Sequence, residues 1–135
     1  MGAEAMYGRE AKSEFSESLA PEKADKQVMG HSLMWLTETA KRTSHFPDIE
    51  WGLPIDEENV IYTTSGNWDW ETGQYRNQFL EEEQIRDYCL MMIYSNWAYI
   101  KNHSARKKEF SRHKLSWVSA IGGKRESYRI KGDLV

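Results

Sequence analysis

A chain of 135 residues, 39% hydrophobic and 29% charged, has room for one domain with one core, in the ordinary range for a globular protein in water. A formal charge of −3 and a pI near 5.8 argue against nucleic acid or an anionic membrane surface as the main partner. The single cysteine, Cys89, excludes an internal disulfide, and no apolar run reaches the length of a membrane span.

The opening residues Met1-Gly2-Ala3-Glu4-Ala5-Met6 lack the basic region and apolar stretch of a signal peptide. Residues 1–27 are polar, rich in Glu and Lys, and interrupted by Gly8 and Pro21. Irregular structure is expected there, with a turn or strand end at residues 7–10 and a short helical turn within residues 13–19. Residues 28–39 are dominated by apolar residues and Thr, which predicts a strand; Gly30 inside it marks a bulge or a close backbone approach. Pro47 and Pro54 exclude a long regular element over residues 40–58, a loop that Trp51 and Leu53 would anchor. Residues 59–64 read as a second strand, followed by turn chemistry at Ser65-Gly66-Asn67. In an extended Trp68-Asp69-Trp70 both indoles would share one face.

The strongest periodic signal covers residues 81–102. Ile85, Tyr88, Cys89, Ile93, Trp97 and Ile100, with Met92, recur at three- and four-residue steps, and Asn96 is the one polar residue on that stripe. Glu81, Glu82 and Glu83 suit the helix N-terminus, where the backbone dipole favours negative charge. Leu90, Met91, Tyr94 and Ala98 make the second half apolar nearly all round. Such a helix is buried on more than one side, so a further covering layer, or a second copy of the chain, is expected against it. Beyond it, residues 106–113 suggest a short polar helix and residues 115–121 a strand. Gly122-Gly123 is turn chemistry, and residues 128–131 alternate again. The run Arg106-Lys107-Lys108 reads as a solvated helix end. The closing Asp133-Leu134-Val135 resembles the start of a strand.

Six Trp are many for a core this small, so some are expected to line a cavity or interface. His31, His45, His103 and His113 show no metal-ligand spacing, and neither G-x-S-x-G nor a phosphate-binding Gly-rich fingerprint is present. Two clusters remain. Trp68-Asp69-Trp70-Glu71 offers aromatic faces and carboxylates for a sugar-like or planar ligand, or an aromatic turn packed on the main helix. Arg125 and Arg129 flank Glu126 and offer planar donor forks for carboxylate or phosphate, or a surface ion-pair cluster.

Those last residues carry a resemblance. The run Gly123-Lys124-Arg125-Glu126-Ser127, then Arg129-Ile130 and Gly132-Asp133, resembles a segment of the FAD-dependent oxidoreductases common in polysaccharide-degrading bacteria. Three further stretches are similar to the same family, in the same order along the chain: residues 7–15 with 20–25, residues 67–73, and residues 85–87 with 96–97 and 101–104. Tyr128 stands where the family often carries a further Arg. The elements read along the chain make it α+β, a small mixed or antiparallel sheet with one long buried helix, and the resemblance implies that it is part of a larger protein. Residues 1–135 would then form a single partial domain, the substrate-side insert of a larger two-domain flavoprotein.

On that resemblance, FAD would be held by the parent protein, with Arg125, Glu126, Arg129, Gly132 and Asp133 as cofactor contacts. Arg9, Trp68, Trp70 and Glu71 would line a pocket for a small-molecule, carbohydrate-derived substrate. Glu71 and His31 are the candidates for a catalytic base, and no metal is implied. The flavin would carry the redox chemistry and the protein the positioning. The alternatives are a carbohydrate-binding module stacking sugars on the Trp-rich face, or an interaction module docking through the apolar helix.

Overall fold

A computed structural model describes residues 2–66, 69–125 and 128–132. The chain is α+β. The short strand β1 (Ala5–Tyr7) and the four-residue helix α1 (Lys12–Phe15) open it; β2 (Trp35–Thr39) and β3 (Ser65–Gly66) precede the long helix α2 (Glu82–Asn102), and β4 (His113–Val118) and β5 (Tyr128–Ile130) follow it. All pairing among these strands is antiparallel. β1 pairs with β5, and a separate three-stranded sheet has the order β3-β2-β4, with a register shift between Leu36 and Thr37.

The core forms where one face of α2 meets the three-stranded sheet. Ile85, Cys89, Ile93, Trp97 and Ile100 pack with Leu33, Trp35 and Phe110. Five of the seven residues of the expected helical stripe are therefore core; Met92 is half-buried and Tyr88 is exposed. Trp97 meets Trp35 at a ring distance of 5.9 Å with the planes tilted by 56°, and Phe110 edge-on at 6.2 Å, the T-shaped geometry that ring quadrupoles favour.

The second half of α2 is covered by the chain's own segment 46–62, which revises the expectation that its cover must come from elsewhere. Phe46 stacks on Tyr94, Ser95 accepts the Leu53 N–H at 2.8 Å, and Asn102 donates to the Phe46 carbonyl at 3.1 Å. Asn96 accepts the Ile61 N–H at 2.9 Å and donates to the Ile61 carbonyl at 3.0 Å. This amide occupies both backbone groups of Ile61 as a neighbouring strand would, and residues 59–64 form no strand. Residues 65–66, expected as a turn, pair with β2 instead.

Three other expectations are corrected. The strand expected over residues 28–39 is regular only at Trp35–Thr39; before that it makes isolated bridges, His31 to Thr72 and Ser32 to Gly123. Residues 104–112 are successive turns and not a helix, with amide bonds such as Glu109 N–H to the Arg106 carbonyl at 2.9 Å. The cause is Lys101, whose ammonium donates to the carbonyls of Phe110, Ser111 and His113 and draws the chain back along α2. The strand after these turns begins at His113 and ends at Val118.

Candidate functional site

The sheet β1–β5, segment 25–32, segment 71–78 and the start of α2 converge at one end of the molecule. Backbone bonds tie them together. Arg9 and Asp25 exchange two bonds of 3.0 Å, the Val28 N–H reaches the Gln74 carbonyl at 2.8 Å, and His31 exchanges bonds of 2.7 and 2.9 Å with Thr72. Glycines permit the close approaches. Gly8 has a φ of +87°, and a Cβ there would lie 2.0 Å from the Asp25 carbonyl oxygen. A Cβ on Gly30 would lie 2.6 Å from the Thr72 oxygen, the close backbone approach expected at that position.

Two clefts of about 280 Å³ lie here. Gly8, Arg9, Gln27, Val28, Met29 and Arg129 line the first. Met34, Ser119, Ile121, Gly122, Lys124 and Arg125 are among the residues lining the second. Met29 joins the two, because Arg125 contacts its sulfur at 3.8 Å. The three arginines of the sequence reading, far apart in the chain, thus come together around Met29. Carboxylates of the same chain engage Arg9 and Arg129. Arg9 binds Asp25 through Nε at 3.1 and 3.2 Å, and Arg129 binds Glu10 at 2.7 and 2.8 Å and also donates to the Gly8 carbonyl. The guanidinium of Arg9 holds the Asp25 carboxyl below its ordinary pKa.

His31 is fully buried behind the second cleft, and neither ring nitrogen completes a hydrogen bond with the described residues. A Cβ on Gly122 would come within 3.1 Å of its Nδ1. Burial, and after it the charge of Lys124, lowers the pKa of the ring; Glu82 and the adjacent Gln78 amide act in the opposite direction. Lys124 is paired with Glu82 at 2.7 Å. Gln78 is also fully buried; it donates to the Met29 carbonyl while its Oε1 has no hydrogen-bond partner among the described residues.

The other expected residues are dispersed. Glu71 is exposed, next to Thr72 on the segment bridged to His31. Trp70 is half-buried and stacked on Trp35 with a 15° interplanar angle, so its ring faces the core. Gly132 is exposed. Trp68, Glu126 and Asp133 lie outside the described residues, as does the strand start expected over 133–135. Sequence reading missed Glu10, Asp25, Met29, Gln78, Glu82 and Lys124 as site residues. Glu10 and Arg129 are separated by 119 positions, and nothing local in either segment signals that pairing.

Among the described residues no three His, Cys, Asp or Glu side chains gather into a metal site, and no helix is long and apolar enough to cross a membrane. Cys89 is buried, which pushes its thiol up to about 11 and leaves it un-ionised. Comparison of the chain with protein-family models, curated proteins and solved structures finds no match.

Proposed function

We propose that this chain forms the substrate-side layer of an FAD-dependent oxidoreductase, placed over a flavin that a separate nucleotide-binding domain holds. The carrying observation is the meeting of Arg9, Arg125 and Arg129 around Met29, since these residues come from the stretches that resemble that family. An apolar surface at the same end supports it. Phe79 and Leu80 are exposed, and Phe79 meets Tyr128 edge-on at 5.6 Å. A face of this kind suits a neighbouring domain.

The residues fit contact with one edge of a flavin better than retention of the whole cofactor. Clefts of about 280 Å³ fall just below the roughly 300–1,000 Å³ of ligand pockets. Asp25, Glu10 and Glu82 pair with Arg9, Arg129 and Lys124, so each of these cations is held in place by a carboxylate. Arg125 and Lys124, both lining the second cleft, would orient an anionic group, with the exposed Glu71 as the carboxylate available to a substrate proton. The flavin, when bound, would accept a hydride from the substrate. Trp70, turned onto Trp35, gives little support to sugar stacking.

Reading the gene on both sides of this coding segment tests the proposal, together with FAD fluorescence in the presence of the chain. The expected result is an open frame with a Gly-rich dinucleotide fingerprint upstream and no change in FAD emission. A native start at Met1 with a stop after Val135, or tight FAD binding by the chain alone, would overturn it.

A further inference from the structure

A second cleft system, of about 430 Å³, opens at the C-terminal end of α2, away from the arginines. Residues 43–48 form one wall and residues 101–111 the other. Charge is concentrated there. Residues 39–48 and 101–114 carry eight Lys and Arg against two carboxylates, while the rest of the chain carries ten against nineteen. The −3 average conceals a cationic end.

Several of these cations are committed. Arg106 pairs with Glu109 at 2.7 Å and Lys114 with Glu38 at 2.6 Å. On the cleft itself the position differs. The Lys101 ammonium spends its donors on three carbonyls, but its charge stays at the wall. The Lys107 ammonium donates to the Asn102 carbonyl at 3.2 Å and pairs with no carboxylate among the described residues. Lys108 and His45 are exposed and meet no carboxylate among the described residues. Asp48 is the one carboxylate on the wall. It accepts from Asn102 at 2.9 Å and lies 2.7 Å from a His103 ring nitrogen, so local partners answer its charge.

The cleft also offers neutral donors and is built before any ligand arrives. The hydroxyls of Thr43, Ser44 and Ser111 make no hydrogen bond among the described residues. The walls are clipped together by the Ser44 N–H to the Ser111 carbonyl at 2.9 Å and by Asn102 to the Phe46 carbonyl. Preorganised walls spare a ligand the entropy of ordering them. Ammonium groups among hydroxyls match a compact, multiply charged oxygen acceptor. Asp48 and Glu50 on the adjoining cleft disfavour an extended polyanion.

We propose that this cleft binds a phosphate or sulfate group, as the free ion or as an ester, with Lys107, Lys108 and the Ser44 and Ser111 hydroxyls as its donors. The site is independent of the flavin reading. Calorimetric titration in low-chloride buffer with inorganic phosphate, inorganic sulfate, a sugar phosphate and a sugar sulfate tests it. Saturable 1:1 binding of at least one is expected, and the ester arms tell a free ion from an esterified ligand. Lys107→Ala/Lys108→Ala should weaken it by about tenfold or more with unchanged thermal unfolding, because both side chains are exposed. Lys114→Ala, in the same cationic region but off the cleft, should stay within about twofold. No saturable binding by any of the four, a double variant that binds as well as the parent, or an equal loss in Lys114→Ala overturns the proposal.

Discussion

His31 sits fully buried between Thr72, Gln78 and Gly122, and its depressed pKa has a consequence for stability. An unfolded chain binds a proton at this residue near the ordinary value of 6.5, whereas the folded chain resists until lower pH. Between those two values the unfolded state holds more protons, so folding weakens as pH falls. Stability from this group is complete above about pH 6.5 and declines below it, ending only beneath the folded pKa. Urea midpoints at about pH 7.5 and about pH 5.5 should differ more for the native chain than for His31→Gln, which keeps a polar side chain without the titration. Equal differences in the two proteins would remove His31 as the cause.

At the scale of elements, Lys101 decides the path of the chain after α2. Its three carbonyl acceptors lie nine to twelve residues downstream, so one side chain at the helix end holds the turns of 104–112 and the entry into β4. Lys101→Met keeps the stem and removes the donors. Charged hydrogen bonds are worth about 1.5–3 kcal/mol each and are not additive here, so a net loss of roughly 2–4 kcal/mol is expected. Amide hydrogen exchange should quicken at residues 110–114 and stay slow in the middle of α2; uniform change along the chain would contradict the assignment. This tie also explains what could be read in advance. The helix was legible because its signal is internal: apolar residues at helical steps, acids at the start, a boundary displaced by one residue. The turns of 104–112 were not, because their carbonyls answer to a residue outside the segment. Residues 59–64 have strand composition, yet Asn96 takes the place of the neighbouring strand, and that exchange is invisible until α2 and the loop are packed. Gly30 was legible for the opposite reason, since a missing side chain states a local steric need.

For the whole molecule, two global averages hid their distributions. Net charge concealed a cationic end, and aromatic content did not say which rings were inside. Trp35 and Trp97 are interior, whereas Trp51 is exposed. The arginine cluster was partly legible, as residue type and as resemblance, but its meeting around Met29 depends on pairings across most of the chain. The same long-range pairing creates an apolar surface of continuous contacts. Tyr7 meets Tyr128 at 4.9 Å, Tyr128 meets Phe79 at 5.6 Å, and Lys124 lies 5.1 Å over Phe79. Ile130 shares the Tyr128 face of β5, two residues on, and Leu80 adjoins Phe79. Phe79, Leu80 and Ile130 are 67%, 80% and 74% exposed, so they contribute little to folding and leave apolar area in water. Removing such area on association yields roughly 25 cal/mol per Å² before the cost of lost freedom, enough for weak self-association at high concentration when no other partner covers it. Sedimentation velocity across a concentration series should therefore show a rising average mass for the chain alone. Phe79→Ser/Leu80→Lys should abolish that rise with little change in the unfolding midpoint. A monomer at every concentration would show that this surface is too small to draw copies together, and a double variant that unfolds early would show that the two side chains support the fold from their exposed positions.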